Sequence, residues 1–300
     1  MNDPVSKIIF PFYFLYRIYR WNKDDHSPLI ASLKITKQCT LKCLHCPWIY
    51  GEKNELPPEQ WKHIIYKLKK QGVRGIVIEG GEPLLYSHLK ELIYFTRNLG
   101  ITTTVASNAT ISLAGYYPDK FYVSVDGLKK QHDALRGEGA FDTMVSNLKT
   151  TSVDIIALVS ISKINVNHID EILDFFKERV SGFWFSFIYK YNASENIALS
   201  RDERHETAER LLSLKNSYNI VNMPSYLKHA GEDRQCRDWM LTTVSSDGSV
   251  KDGCMIEAIE KCDCSRCDLA CHRELSDFAD MHFFSDNIKD YFKRIRRKKR

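Results

Sequence analysis

The sequence predicts an α/β fold: a partial six-unit (β/α) barrel of the TIM type, followed by a small C-terminal cysteine-rich module. Two observations carry this prediction. Short runs of β-branched or aromatic residues alternate with segments whose apolar residues follow a helical spacing. The nine cysteines form two groups, one directly after the first run and one beyond residue 230. Alternating strands and helices favour parallel strands with right-handed crossovers, and chemistry at the carboxyl ends of the strands.

The elements follow in order along the chain. The predicted strands are Leu29–Ile35, Gly75–Glu79, Thr102–Ser107, Phe121–Val125, Ile155–Ile161 and Phe183–Phe187. The predicted helices are Pro58–Gln71, Ser87–Leu99, Phe141–Lys149, His168–Arg179 and Asp202–Lys215. We expect four regions: an aromatic N-terminal segment (1–28), the barrel (29–230), the cysteine-rich module (231–285) and a basic tail (286–300).

Composition narrows the class of protein. The formal net charge of +5 over 300 residues is modest and does not favour a nucleic-acid partner. The sequence shows no secretory signal with a small-residue cleavage site, and an odd number of cysteines argues against complete disulfide pairing. We therefore expect a cytoplasmic protein whose clustered, reduced cysteines bind metal.

The first cysteine group, Cys39, Cys43 and Cys46, has the spacing C-x3-C-x2-C and follows the first predicted strand. Three thiolates can hold three irons of a [4Fe–4S] cluster. The fourth iron is then open to a non-protein ligand, much as catalytic metal sites leave one coordination position free. A zinc site with His45 or a distant fourth ligand is the alternative, and spacing alone does not exclude it.

Four motifs in this order resemble the radical S-adenosylmethionine (SAM) superfamily over roughly residues 29–274. They are the cysteine triad, EGGEPLL (79–85), ASNAT (106–110) and VSVDGLKKQHDALRGEGAFD (123–142), each at the end of a predicted strand. The resemblance implies that a reduced [4Fe–4S] cluster cleaves SAM to methionine and a 5′-deoxyadenosyl radical, which abstracts a hydrogen atom from the substrate. It also implies a one-electron donor such as ferredoxin or flavodoxin.

The resemblance further implies roles for individual residues around SAM. In the superfamily the glycine-rich motif contacts the methionine amino group, which gives Gly80, Gly81 and Glu82 that role. Ser107 and Asn108 match a contact on the ribose side. Ser124 and Arg136 would hold the methionine carboxylate, Asp126 would shape the turn before Gly127, and the backbone of His45 would meet the adenine.

The second cysteine group resembles a SPASM or twitch module, which binds auxiliary [4Fe–4S] clusters. It contains six cysteines, where the full SPASM pattern has seven, so we expect one auxiliary cluster. An Asp-Gly turn between two predicted strands indicates a hairpin that brings Cys236 and Cys254 together. The favoured ligands are Cys236, Cys254, Cys264 and Cys267, with Cys271 a rival to either of the last two and Cys262 the least favoured. A structural zinc ribbon is the alternative.

Both ends of the chain predict binding to an anionic membrane surface. Residues 8–21 are too short to span a bilayer, but aromatic rings with nearby arginines are typical of an interfacial segment. Arg17 and Arg20 would reach the headgroups. Six apolar side chains would enter the bilayer: Phe10, Phe12, Phe14, Leu15, Ile18 and Trp21. The tail KRIRRKKR adds positive charge. A helix packed under the barrel and a solvated tail are the alternatives.

These observations predict a radical SAM enzyme that sits peripherally on the inner face of a membrane and acts on a lipid. A peptide-modifying maturase is the second hypothesis, although the short segment before Leu29 contains no evident peptide-recognition domain. A zinc-stabilised binding protein at the membrane surface is the third.

Overall fold

The computed structural model describes residues 16–23, 25–48, 55–189, 194, 196–256, 262–264, 267–280, 286–287, 289–290 and 293. Its central element is a mostly parallel sheet of eight strands in the order β6-β5-β4-β3-β2-β1-β7-β8. The strands are β1 (Ile30–Thr36), β2 (Gly75–Gly80), β3 (Thr102–Ser107), β4 (Lys120–Ser124), β5 (Ile155–Ile161), β6 (Gly182–Phe187), β7 (Leu241–Val244) and β8 (Val250–Asp252). The first six are the predicted strands, so the predicted partial barrel is confirmed.

Helices connect and flank these strands. They are α1 (Pro58–Gln71), α2 (Leu89–Asn98), α3 (Lys129–Arg136), α4 (Ala140–Leu148), α5 (Ile169–Phe176), α6 (Arg201–Leu214), α7 (Pro224–Lys228) and α8 (Ala270–Ala279). Helix α1 has the predicted bounds, with Pro58 in its first turn and Gly72 in the left-handed conformation after its end. Helix α6 begins at a capping box formed by Ser200 and Glu203.

The two faces of the sheet differ in chemistry. Leu33 and Ile35 of β1 are fully buried in the main hydrophobic core. The alternate residues point to the other side of the sheet, which we call the lumen, because successive side chains of a strand face opposite ways. There the hydroxyl of Ser32 donates to Glu79 of β2 at 2.5 Å. On β1 and β2 the lumen therefore carries polar side chains, and it leads to the carboxyl ends of the strands.

The predicted hairpin is present as β7 and β8, but it belongs to the main sheet. Strand β7 pairs with β1 in parallel, with Ile30 opposite Leu241 and Leu33 opposite Val244. The cysteine-rich region is thus joined to the barrel by backbone hydrogen bonds. Helix α8 then crosses the lumen side of β6, where the Trp184 indole donates to Glu274 at 2.9 Å.

The end of the N-terminal segment packs on protein. Residues 16–21 are helical, and Ile18 and Trp21 are buried against Met240 and Ala279. Arg17 is also buried and donates to the carbonyls of Ser27 and Pro28 at 3.2 and 3.4 Å. The predicted placement of Arg17, Ile18 and Trp21 in a membrane interface is therefore wrong, because these side chains are buried against other parts of the protein.

The rest of the predicted membrane contact is not part of the described structure. The four remaining apolar positions (Phe10, Phe12, Phe14 and Leu15) and the last seven residues of the basic tail lie outside the described residues. Arg20 forms an ion pair with Asp25 at 3.3 Å. Within the described residues, no helix combines the length and hydropathy needed to traverse a bilayer.

Replacing Trp21 by alanine should lower the free energy of unfolding by about 3 kcal/mol, because the side chain is 4% exposed and its removal leaves a cavity. The variant also lacks the hydrogen bond that the Trp21 indole donates to the Ser27 carbonyl. Urea unfolding followed by circular dichroism measures the change. Tyr19→Ala is the matched control, since Tyr19 is 61% exposed on the same helix and should change stability little. Equal losses in the two variants would contradict this packing.

Candidate functional site

The loop after β1 that carries Cys39, Cys43 and Cys46 is held by backbone hydrogen bonds in two places. Gly81 N–H donates to the Thr36 carbonyl and Glu82 N–H donates to the Gln38 carbonyl, both at 2.7 Å. Further along the loop, Leu44 N–H donates to the Leu135 carbonyl of α3 at 2.9 Å. The loop is therefore held between the end of β2 and helix α3.

The two glycines of the EGGEPLL motif are required by this close packing. A Cβ on Gly80 would lie 2.3 Å from the Thr36 carbonyl oxygen, and one on Gly81 would lie 2.1 Å from that of Gln38. Gly80 also has φ near +146°, a conformation that side chains disfavour. The sequence suggested that these glycines admit a ligand, and the structure adds that they admit the cysteine loop itself.

Glu82 joins the motif to the end of β3. Its carboxylate accepts hydrogen bonds from the Ser107 hydroxyl at 2.9 Å and from Asn108 N–H at 2.8 Å, and the residue is fully buried. Burial raises the pKa of Glu82 to about 7, although these donors oppose the shift. The side chain thus points into protein, and only the backbone of this motif is left to meet a ligand.

The buried carboxyl of Glu82 predicts a pH dependence. Its pKa is raised from 4.5 to about 7 in the folded protein, so the folded state binds the proton more tightly and stability falls as pH rises through this range. The shift corresponds to roughly 3 kcal/mol. The glutamine in Glu82→Gln cannot ionise. The difference in unfolding free energy between this variant and the parent should therefore shift in favour of the variant by about 3 kcal/mol from pH 5 to pH 8.

Urea unfolding of both proteins at the two pH values measures this difference. Glu91→Gln is the control, because Glu91 lies on the surface of α2 and accepts only exposed contacts from Lys62 and His88 among the described residues. A pH-independent difference between Glu82→Gln and the parent would contradict the raised pKa.

Asn108 and the three cysteines share one end of the cavity. The Asn108 amide nitrogen lies 3.6 Å from Cys39 Sγ and 3.1 Å from Thr40 Oγ1. The cysteines themselves are partly exposed. Burial raises the pKa of the Cys43 thiol to about 11, and Arg136 opposes this shift. A bound cation would therefore be needed to hold Cys43 as a thiolate at neutral pH.

Arg136 is fixed by a buried ion pair. Its Nε donates to Asp126 Oδ2 at 2.6 Å, and its Nη1 lies 3.8 Å from Cys43 Sγ. Burial alone would raise the pKa of Asp126, but Arg136 and nearby histidines hold that pKa below its ordinary value. The sequence analysis predicted that Asp126 shapes the turn before Gly127, and the structure shows that it also anchors Arg136.

His45 lies beside this pair but is not part of it. Its Nε2 is 3.9 Å from Asp126 Oδ2, yet burial lowers the pKa of His45 to about 4, so the ring is neutral near pH 7. Its Nδ1 is buried and has no hydrogen-bond partner among the described residues.

A cavity of about 270 Å³ collects most of the predicted site residues. Its lining includes all three motif cysteines and seven other residues of the predicted set: His45, Gly80, Gly81, Ser107, Asn108, Ser124 and Arg136. Glu82, whose side chain is turned away, does not line it. These predicted residues therefore line one cavity, although they come from the ends of four strands and from α3.

The sequence analysis did not predict several other residues that line this cavity. Lys34 pairs with Glu79 at 3.0 Å, and its ammonium lies 4.3 Å from the centre of the Trp48 ring. Met255 and Leu269 of the cysteine-rich region also line the cavity. Charged residues within otherwise apolar strands were the available signal, because Lys34 and Glu79 alternate with core positions.

The second cysteine group gathers more tightly than expected around Cys262. The Cys262 thiol is in hydrogen-bond contact with those of Cys254 and Cys267, and Cys264 contacts Cys262 in turn. Cys236 is close enough to interact electrostatically with three of these thiols. Cys271 interacts electrostatically with Cys267 and Cys236, and its sulfur lies 3.7 Å from Met255 Sδ. The sequence had ranked Cys262 last, and nothing in its spacing indicated this central position.

The chemistry of both cysteine groups fits iron–sulfur clusters. Each group offers sulfur donors only, which is the donor set of cubane clusters. Across the part of the chain that the structure describes, no three His, Cys, Asp or Glu side chains are arranged to hold a single metal ion. A cubane presents a separate iron to each thiolate.

The comparison with known proteins agrees with the site. The profile of the Radical SAM superfamily matches residues 33–176, which contain the cysteine loop, the lumen strands and Arg136. Over this segment, just under half of its length, the chain is similar to the radical SAM superfamily.

The chain aligns with only part of the length of each curated relative. The sporulation killing factor maturation protein SkfB of Bacillus subtilis is 30% identical over 50% of this chain and 39% of its own. The Fe-coproporphyrin III synthase of Methanosarcina barkeri is 28% identical over 67% of this chain and 55% of its own. The chain thus spans about half the length of these curated relatives.

Among solved structures, Streptococcus suis SuiB bound to the precursor peptide SuiA superposes with a TM-score of 0.66. The two share 18% sequence identity, and the match covers 95% of this chain and 72% of SuiB. At this identity the likeness shows the fold alone.

Proposed function

We propose that this protein is a radical SAM enzyme that modifies a peptide. The observation that carries the proposal is the shared cavity, which is lined by the cysteine triad and Arg136 together with Lys34, Glu79 and two residues of the cysteine-rich region. A [4Fe–4S] cluster with SAM, when bound, supplies a 5′-deoxyadenosyl radical that removes a hydrogen atom from the substrate. The protein's own residues bind, orient and enclose these groups.

Each side chain then has a defined task. Cys39, Cys43 and Cys46 hold the cluster, and Arg136 binds the methionine carboxylate together with Ser124. A guanidinium suits a carboxylate, and Asp126 holds it in place at 2.6 Å. The backbone of Gly80 and Gly81 meets the methionine amino group, Ser107 and Asn108 lie on the ribose side, and the backbone of His45 meets the adenine.

Two observations support a peptide as substrate. SkfB is a maturation protein, and the SuiB structure, which shares this fold, holds a precursor peptide. A peptide group carries one donor and one acceptor, and the Lys34–Glu79 pair offers the complementary donor and acceptor on the cavity wall. The lipid hypothesis lost much of its support once Arg17, Ile18 and Trp21 were found to pack on the barrel.

The test is hydrogen transfer from a labelled substrate. Protein purified and reconstituted without oxygen is incubated with dithionite, SAM and a peptide encoded beside its gene, synthesised with deuterated side chains. We expect SAM cleavage, and deuterium in the 5′-deoxyadenosine that forms. Deuterium transfer from a labelled porphyrin or lipid, with none from the peptide, would overturn the peptide assignment. An absence of SAM cleavage would overturn the enzymatic proposal altogether.

A further inference from the structure

Arg273 of α8 is buried beneath the second cysteine group, with 1% of its surface exposed. Its Nη2 donates to the carbonyls of Cys264 at 3.0 Å and Cys267 at 2.8 Å. Its Nη1 donates to the carbonyl of Arg234, two positions before Cys236. One guanidinium therefore ties together the three backbone segments that carry Cys236, Cys264 and Cys267.

The positive charge of Arg273 is not balanced by the acidic groups that the structure describes around it. The contact with Asp268 is long, with Nε 4.0 Å from Oδ1. Asp268 is already engaged, since Arg204 Nε donates to its Oδ2 at 2.7 Å. Two buried guanidinium groups thus share one carboxylate. A buried charge without a full partner costs several kcal/mol, so this arrangement points to a further anion nearby.

We infer that Arg273 is the counter-charge and positioning residue of the auxiliary cluster, and that it raises the cluster's reduction potential. This inference rests on the proposed function, because it requires that the second cysteine group binds iron and sulfide. Thiolate-ligated clusters are anionic, and the guanidinium is close enough to act electrostatically on Cys236, Cys264 and Cys267. A fixed cation stabilises the more negative, reduced state of a cluster.

Two substitutions separate the two roles of Arg273. Arg273→Gln keeps amide donors for the cysteine carbonyls but removes the charge. Arg273→Lys keeps the charge but loses the planar fork that reaches several carbonyls at once. Arg204→Gln is the matched control, because Arg204 is another buried arginine on the same carboxylate and donates to no cysteine carbonyl in the described structure.

The measurement isolates the second cluster. Each variant is made in full-length protein with Cys39, Cys43 and Cys46 replaced by alanine, reconstituted with iron and sulfide, and titrated with dithionite in the presence of mediator dyes. Electron paramagnetic resonance follows the reduced cluster. In this background we expect about four irons per chain. For Arg273→Gln we expect the equilibrium constant for one-electron reduction to fall about tenfold, equivalent to about 59 mV.

The lysine variant should keep a potential close to that of the Arg273 parent but lose iron faster to a chelator, because its loop is held by fewer hydrogen bonds. Arg204→Gln should change the potential by less than Arg273→Gln does, because Arg204 donates to no cysteine carbonyl in the described structure. An unchanged potential in Arg273→Gln, or an equal shift in Arg204→Gln, would overturn the electrostatic role. A background protein without iron would overturn the inference while leaving SAM cleavage by the parent protein, and so the proposed function, intact.

Discussion

Replacing Cys39, Cys43 and Cys46 together by alanine is expected to abolish SAM cleavage and to reduce the iron content from about eight to about four per chain. Alanine offers no ligand, so the three irons that these thiolates would hold lose their attachment. The second cysteine group, which lies in a different part of the fold, should keep its own cluster.

The fold should survive this triple substitution, because the three cysteines are partly exposed at the mouth of a cavity. On one sample, circular dichroism checks the fold and anaerobic iron analysis checks the iron content. Leu44→Ala is the control within the same loop, since Leu44 is 50% exposed and the substitution keeps the backbone hydrogen bond to the Leu135 carbonyl. Retention of all the iron, or zinc in place of iron in the parent protein, would contradict the assignment.

The second large effect is expected at the ion pair between Arg136 and Asp126. Asp126→Asn leaves the buried guanidinium without its carboxylate and should cost about 3–5 kcal/mol of stability. Because the pKa of Asp126 is held below its ordinary value, this contribution persists across neutral pH and is lost only as pH falls below about 3.8. The variant should also bind SAM more weakly, since Arg136 is no longer oriented.

A double-mutant cycle tests this coupling. Arg136→Met alone strands the Asp126 carboxylate, whereas the double variant Arg136→Met with Asp126→Asn removes both charges. We therefore expect the double variant to lose less stability than the sum of the two single changes. Lys129→Ala, which removes an exposed ion pair from the same helix, should have little effect. Additive losses in the cycle would mean that the pair is not coupled.

Local pattern made the strands and most helices predictable from the sequence. Strands with one core face and one lumen face carry β-branched residues at regular intervals, and their ends were placed within one or two residues. Helix α3 was missed because its eight residues, KKQHDALR, are mostly polar. Its buried face consists of Gln131, His132, Leu135 and Arg136, so only one aliphatic residue marks that face in the sequence.

Long-range partners were the part that could not be predicted. The parallel pairing of β7 with β1, the anchoring of Arg136 by Asp126 and the central position of Cys262 each depend on where distant segments meet. The motif residues could be identified because their order along the chain matches a known family. The Lys34–Glu79 pair could not, because no motif contains it and only the folded sheet brings the two side chains together.

The pairing of β1 with β7 has a consequence for how this protein is made. Strand β1 lies inside the sheet, with β2 on one side and β7 on the other. A ribosome releases β2 soon after β1, but it releases β7 only when most of the chain has been synthesised. Until then one edge of β1 has unpaired backbone groups, which can recruit another nascent strand and lead to aggregation. We expect slow completion of folding, because contacts between sequence-distant segments form late.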